Sequence, residues 1–162
     1  MIKNASSPSR ALDSFDRAIL RIIQCDNKTP QRTIAAAVNL SAAAVQRRIA
    51  AMEAMGVVVR NVAIVDPAPL SMAITAIVEV HLRDERAKTV DAAKALFQGT
   101  PEVQQCFYVT GGVSFVLIII TPDMQAYERL TRRLFAENEL VDRYRTLIAL
   151  DRVKADTAIV IP

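Results

Sequence analysis

Residues 39–49 read Asn-Leu-Ser-Ala-Ala-Ala-Val-Gln-Arg-Arg-Ile, and this stretch decides how the first third of the chain folds. The Ser41 hydroxyl can accept a hydrogen bond from the free amides of a first helical turn, so it predicts a helix start. The helical pattern runs to about Met55, and Gly56 is suited to the left-handed conformation that ends many helices. The stretch therefore predicts a helix that begins after Ser41 and ends near Met55.

The two sides of this helix differ in chemistry. Apolar side chains recur at helical spacing on the inner side, at Val45, Ile49 and Met52. Small residues on the outer side allow close approach in the major groove of DNA, where glutamine can pair with adenine and arginine with guanine or phosphate. We expect Arg47 to reach a base edge and Arg48, nearer the apolar side, to contact phosphate. The candidate DNA contacts here are Ser41, Ala43, Gln46, Arg47 and Arg48.

Two shorter helical patterns precede this one. The first begins near Leu12, with Asp13 and Asp16 placed where the helix dipole favours negative charge. Thr29-Pro30 predicts the start of the second, with proline at the first helical position, and Asn39 ends it. Two helices joined by a short turn, the second with an outward basic face, indicate a helix-turn-helix.

The charge distribution supports contact with a polyanion. Residues 1–62 carry nine basic and four acidic residues, a net charge of +5, whereas residues 63–162 carry 11 basic and 13 acidic residues, a net charge of −2. Residues 57–62 are predicted to form a strand or wing after the third helix. Further candidate DNA contacts are Lys28, Arg32 and Arg60. The alternative is a plain three-helix subdomain with solvated arginines.

After a proline-bearing connector at residues 63–72, the pattern changes to β-α-β-β-α-β. The expected strands are 74–83, 103–110, 114–121 and 144–153, the expected helices are 86–98 and one that opens at Pro122-Asp123, and 157–161 could add an edge strand. This order is typical of a ferredoxin-like domain, in which both helices pack on one face of an antiparallel sheet. The fold class is therefore predicted as α+β.

The third expected strand is apolar on both faces, because its side chains alternate without a polar side (Phe115 to Ile120). An antiparallel sheet covered by helices on one face ordinarily has a polar second face. The second face here needs a cover. A second copy of the same sheet would supply it and predicts a homodimer, whereas cover by the N-terminal domain of the same chain is the alternative.

The composition argues against several classes of protein. The two cysteines, Cys25 and Cys106, lie far apart without a CxxC motif, which argues against a disulfide framework and a thiolate zinc site. His81 is the single histidine, so a multi-histidine metal centre is hard to build. No run approaches the roughly 20 apolar residues that a membrane helix needs. We expect a cytoplasmic protein with no metal, no cofactor and no membrane contact.

Several motifs follow one another in a specific order and spacing from Leu12 to Lys154. They are Leu12-Asp13-x-x-Asp16-Arg17, Asn39-Leu40-Ser41-x-x-x-Val45-x-Arg47-Arg48-Ile49, Gly56-Val57-Val58, Asp66-Pro67, Val109-Thr110-Gly111, Pro122-Asp123-Met124 and Asp151-Arg152-Val153-Lys154. In these motifs the chain resembles the leucine-responsive regulatory protein/asparagine regulator (Lrp/AsnC) family of prokaryotic transcription factors.

The resemblance implies an N-terminal winged helix-turn-helix and a C-terminal ligand-sensing domain that forms dimers, often assembled further to tetramers or octamers. The expected parts are a flexible tail (1–11), the DNA-binding domain (12–62), a linker (63–72) and the ferredoxin-like effector-binding and oligomerisation domain (73–162). The resemblance also implies an amino acid bound between dimers near the turn that joins the second and third strands. The candidate effector residues are therefore Thr110, Gly111, Gly112 and Ser114.

One position departs from the family pattern. The family commonly has an acidic residue where this chain has Ser114, and a hydroxyl cannot supply the charge that pairs with an ammonium group. A different ligand, weak binding or no ligand at all therefore stay open.

The predicted function is a homo-oligomeric, sequence-specific DNA-binding regulator of transcription that responds to a small metabolite such as an amino acid. Its predicted partners are double-stranded DNA, further copies of itself and that metabolite. One alternative is an architectural DNA-binding protein without an effector. Another is an enzyme similar to the sirohaem decarboxylases, which share the scaffold but rely on histidine and basic residues in the second domain. We expect no catalytic residue.

Overall fold

The computed structural model describes residues 11–162, which divide into two compact units. The first unit contains the described residues up to Ile64 together with Ala155–Pro162, and the second spans Val65–Lys154. The sequence places residues 155–162 in the second domain, whereas in the structure this segment is grouped with the first unit. Apart from residue 11, the expected N-terminal tail lies outside the described residues. Within residues 11–162, no helix has the length and apolar character needed to cross a membrane.

Three helices form the first unit: α1 (Ser14–Ile23), α2 (Gln31–Val38) and α3 (Ala42–Ala54). A capping box starts α1, with Asp13 accepting from the Asp16 amide at 2.9 Å and Asp16 accepting from the Asp13 amide at 3.2 Å. The predicted cap of α3 is confirmed, because the Ser41 hydroxyl accepts from the Ala44 amide at 3.2 Å. Pro30 is the cap of α2 and not its first residue, one position from the prediction. The fully buried core comprises Ile19, Ile34, Val45 and Met52.

The predicted wing strand is wrong. The amides of Val57 and Val58 donate to the Met52 carbonyl at 2.9 and 3.2 Å and so close the end of α3. Val59 and Val62 are exposed. A strand needs a neighbour that receives its backbone hydrogen bonds, and the described part of the first unit contains no strand.

The segment predicted as a further edge strand lies along α1. The Gln24 side-chain amide donates to the Ile159 carbonyl at 3.1 Å and accepts from the Ile159 amide at 3.2 Å. Arg21 donates to the carbonyls of Ile161 at 3.2 Å and Pro162 at 2.9 Å. Residues 157–161 form no strand because these backbone groups bind helix side chains instead of a sheet edge.

The second unit has the predicted β-α-β-β-α-β order. Its elements are β1 (Ile74–Leu82), α4 (Ala87–Gln98), β2 (Val103–Tyr108), β3 (Phe115–Thr121), α5 (Met124–Thr131), which continues as a π-helical turn (Arg132–Ala136), and β4 (Val141–Ile148). The four strands form an antiparallel sheet in the order β2-β3-β1-β4. The ferredoxin-like expectation is confirmed, although β4 begins three residues before the predicted position and ends five residues before it.

One face of the sheet packs against the helices. Val78 lies opposite Leu117, and Val80 lies opposite Phe115, and all four side chains are fully buried. The ring of Phe97 on α4 packs edge-on against Phe115, with ring centres 5.3 Å apart. This core fixes the paired ends of β1 and β3, which carry the loops described below.

The opposite face of the sheet is largely apolar. Ile77 lies between Ile118 on β3 and Leu147 on β4. Phe107 lies opposite Val116 on the same face. Leu147 is 41% exposed and Phe107 is 51% exposed. The predicted apolarity of both faces of β3 therefore extends to the neighbouring strands.

Candidate nucleic-acid interface and ligand pocket

The residues predicted to lie on the outward side of α3 are exposed in the structure. Ala43, Gln46, Arg47, Ala50 and Ala54 are all exposed, whereas Val45 and Met52 on the other side are fully buried. Within the part of the chain that the structure describes, the Arg47 guanidinium makes no ion pair with an acidic side chain. A cation between small side chains is thus available to an external acceptor.

Arg48 occupies a different environment from Arg47. Its Nη1 lies 2.8 Å from Asp13 Oδ2 and 2.7 Å from Asp16 Oδ1, and its guanidinium lies 5.4 Å from the centre of the Phe15 ring. These hydrogen bonds to Asp13 and Asp16 raise the pKa of Arg48 above its usual value. The Arg48 side chain is 19% exposed and that of Asp16 is 1% exposed. In the structure Arg48 thus joins α3 to α1 through these two carboxylates, and its contact with phosphate stays a prediction.

The other predicted contacts are exposed side chains. Lys28 lies in the turn before α2, where its amide donates to Asp26 at 2.9 Å. Arg32 lies in the first turn of α2, and Arg60 lies on the irregular segment after α3. The Ser41 hydroxyl serves as a helix cap. Lys28 and Arg32 remain candidates for phosphate contact. Arg60 does not lie on a strand in the structure, so the predicted wing does not position it.

A cavity of about 380 Å³ lies in the second unit, where the turn between β2 and β3 meets the end of β1. It is lined by His81, Leu82, Glu85, Tyr108, Val109, Thr110, Gly111, Gly112, Val113 and Ser114. The structure thus brings all four predicted effector residues to one cavity. The described residues contain no cluster of histidine, cysteine and carboxylate side chains that could hold a metal ion.

Three side chains in this cavity form a hydrogen-bonded group. Ser114 is 5% exposed, and its hydroxyl accepts from the Leu82 amide at 3.0 Å and donates to Glu85 Oε1 at 2.5 Å. The Tyr108 hydroxyl donates to Glu85 Oε2 at 3.0 Å. The Glu85 carboxylate raises the pKa of Tyr108, because ionisation would remove this hydrogen bond and place two negative charges side by side.

Sequence reasoning missed Glu85 as a pocket residue. Asp84-Glu85-Arg86 has the composition of a solvated turn. The signal that could have identified Glu85 as a pocket residue is the pairing of β1 with β3. Because Val80 pairs with Phe115, the loop that follows β1 is adjacent to the turn that precedes β3.

The turn at the cavity depends on glycine. Gly111 and Gly112 have φ angles of 106° and 89°, a region that other residues rarely adopt. The Val109 amide donates to the Ser114 carbonyl at 3.1 Å and closes the turn. Among residues 11–162, no acceptor is found for the backbone amides from Thr110 to Val113. They are donors available to a ligand.

Comparison with known proteins identifies both units. A family model described as the AsnC-type helix-turn-helix domain matches residues 12–53, and one described as the Lrp/AsnC ligand binding domain matches residues 75–159. An HTH-type transcriptional regulator from Sinorhizobium fredii is 40% identical over 148 residues, which cover 91% of this chain and 88% of the relative.

Solved structures give the same result. An AsnC family transcriptional regulator from Agrobacterium tumefaciens has a TM-score of 0.85 and 29% identity, covering 91% of this chain and 96% of the other. A feast or famine regulatory protein from M. tuberculosis, complexed with L-methionine, has a TM-score of 0.84 and 30% identity, covering 94% of this chain and 100% of the other. From the two domains and these likenesses, the chain belongs to the Lrp/AsnC family of transcriptional regulators.

Proposed function

We propose that this Lrp/AsnC-type regulator binds specific DNA sites as a homo-oligomer and that a small metabolite, in the first instance an amino acid, tunes its binding. The observation that carries the proposal is the outward face of α3, where Gln46 and Arg47 stand exposed among alanines. Both side chains can form paired hydrogen bonds with a base edge in the major groove. Lys28 and Arg32 supply sequence-independent attraction to phosphate.

Selection of binding sites from random double-stranded DNA tests the proposal. We expect a two-fold symmetric consensus, because a symmetric dimer presents two copies of α3 to two half-sites. Affinity for the selected site should exceed that for scrambled DNA at least about a thousandfold at one fixed salt concentration. Equal affinity for all sequences would contradict specific regulation and favour the architectural alternative.

The apolar face of the sheet supports a homodimer. Ile77, Ile118 and Leu147 form a row across three strands, and Phe107 extends the apolar surface to the edge strand β2. The Glu79 carboxylate lies 3.7 Å from an Arg145 nitrogen on the same face. A second copy of the face would cover these side chains. Exposed apolar surface of this kind marks an interaction site.

Leu147→Asp should convert the dimer to monomer. The change places a carboxylate in each half of an apolar interface, where an unpaired charge is strongly disfavoured. We expect the dissociation constant of the dimer to rise at least about a hundredfold, measured by sedimentation equilibrium.

Met124→Asp is the matched control for this change. Met124 is 51% exposed and begins α5, which packs on the other face of the sheet. It should leave the dimer intact. Equal dissociation of both variants, or of neither, would contradict dimerisation through the sheet.

The cavity supports the metabolite part of the proposal. Its glycine turn offers free backbone amides to a carboxylate, and Thr110 and Ser114 add side-chain hydroxyls to its lining. The L-methionine complex of the M. tuberculosis relative supports an amino acid as the first ligand to test. We propose that ligand binding at Thr110, Gly111, Gly112 and Ser114, at an interface between subunits, shifts the assembly and hence which DNA sites are bound.

A further inference from the structure

We propose that Glu85 supplies the negative charge that holds the ammonium group of the effector in this pocket, in place of an acidic residue at position 114. The ligand class is a primary amine, and first of all an α-amino acid. The inference rests on the proposed effector function of the same pocket and assigns the residue that selects the ligand.

The structure places the Glu85 carboxylate directly beside the side chain of Ser114. Ser114 is buried and held by the Leu82 amide, so its hydroxyl has a fixed direction. The Ser114 hydroxyl donates its hydrogen bond to Glu85 Oε1. A neutral side chain at position 114 is thereby extended into the cavity by a carboxylate from the loop after β1. Tyr108 fixes the second carboxylate oxygen.

Glu85 keeps the capacity to bind a cation. In the structure one carboxylate oxygen accepts a hydrogen bond from Ser114 and the other from Tyr108, and each oxygen can accept a further one. Both donors are neutral hydroxyls. Within the described part of the chain, Glu85 forms no ion pair with a lysine or arginine. A bound ammonium would add the charge-assisted hydrogen bond that this carboxylate lacks.

The glycine turn that lines the same cavity has the complementary chemistry. The free backbone amides of the glycine turn can donate to an anion, whereas Glu85 attracts a cation. A zwitterion that carries an ammonium and a carboxylate on one carbon matches both of these lining features. This arrangement favours α-amino acids over simple amines and over simple carboxylic acids.

Calorimetric titration of the wild-type protein with each of the twenty amino acids provides the test. The tightest of them is then compared with the carboxylic acid of the same skeleton that lacks the amine, and with binding to Glu85→Gln. Glutamine keeps the size and one acceptor of the side chain but removes its charge. We expect Glu85→Gln and loss of the amine each to weaken binding at least about tenfold.

Glu137→Gln is the matched control, because Glu137 is an exposed glutamate that lies outside the cavity. It should bind the amino acid as the wild type does. Circular dichroism and the unliganded melting temperature of Glu85→Gln should match the wild type, which separates loss of charge from loss of fold.

Three results would overturn the inference. Equal affinity of Glu85→Gln and the wild type would refute the role of Glu85 and leave the metabolite function standing. Equal affinity for the acid that lacks the amine would refute recognition of an ammonium group. Failure of all twenty amino acids to bind the wild type would refute both the inference and the amino-acid effector, while the DNA-site selection judges the regulator independently.

Ionisation of Tyr108 tests the geometry without a ligand. Glu85 raises the pKa of Tyr108, so Glu85→Gln should lower that pKa towards the ordinary value. Ultraviolet titration of tyrosinate measures the shift, and Tyr108→Phe identifies which of the three tyrosines is responsible. An unchanged Tyr108 pKa would show that the Tyr108–Glu85 hydrogen bond does not form and would overturn the placement of Glu85.

Discussion

Arg47→Ala is expected to remove specific DNA binding while the protein stays folded. Arg47 is exposed on the outward side of α3, and the residues described give its guanidinium no acidic partner. A base contact by arginine contributes about 1–3 kcal/mol to discrimination. A dimer loses two such contacts, so affinity for the selected site should fall at least about thirtyfold. Electrophoretic mobility shift at fixed salt measures the change.

Arg129→Ala is the matched control for Arg47→Ala. Arg129 is an exposed arginine in the last turn of α5, so its removal causes the same loss of charge far from the proposed DNA-reading face in sequence. It should reduce affinity only slightly. If the two variants weaken binding equally, net charge explains the effect and Arg47 reads no base.

Arg48→Ala, in contrast to Arg47→Ala, is expected to lower the stability of the fold. The change removes a guanidinium that binds both carboxylates of the α1 capping box and leaves the buried Asp16 without that cation. Breaking such a pair by removing one member costs about 3 kcal/mol. Urea unfolding followed by circular dichroism should show the first unit unfolding at lower denaturant, with the second unit unaffected.

The double variant Arg48→Ala/Asp16→Ala separates the ion pair from other effects of losing Arg48. If the pair is responsible, the two single changes should be far from additive, and their coupling free energy should be about 1 kcal/mol or more. DNA affinity measured where the variant is folded should stay near that of the wild type. Wild-type stability combined with lost DNA binding would favour the phosphate contact expected from the sequence.

Local pattern predicted most of the architecture. The caps at Asp13, Ser41 and Asp123 are set within three residues of the amides that they bind, so they can be recognised from sequence. The alternation of β1 and β3 likewise reflects one sheet face that packs against helices. These features depend on neighbours in the chain, which a sequence displays directly.

The features that sequence reasoning missed share a dependence on distant partners. Arg48 lies at the edge of the apolar side of α3. Its partner Asp16 lies 32 residues away in the sequence, so local pattern does not reveal this ion pair. The valines of residues 57–62 have strand-like composition, but the described part of the first unit contains no strand with which they could pair. Glu85 joins the pocket through a serine 29 residues away. In each case the sequence indicates the chemical character of the residue but does not reveal which distant residue it contacts.

The return of Ala155–Pro162 to α1 has a consequence for the order in which the chain is completed. All ninety residues of Val65–Lys154 are synthesised between α3 and this segment. The helices that carry Arg47 can assemble early, because domains fold as they emerge from the ribosome. Gln24 and Arg21 can nevertheless reach their backbone partners at residues 159–162 only after the second unit has been synthesised. Synthesis of the first unit thus starts before that of the second and ends after it, and a fragment that stops at residue 64 would lack the backbone partners of Gln24 and Arg21.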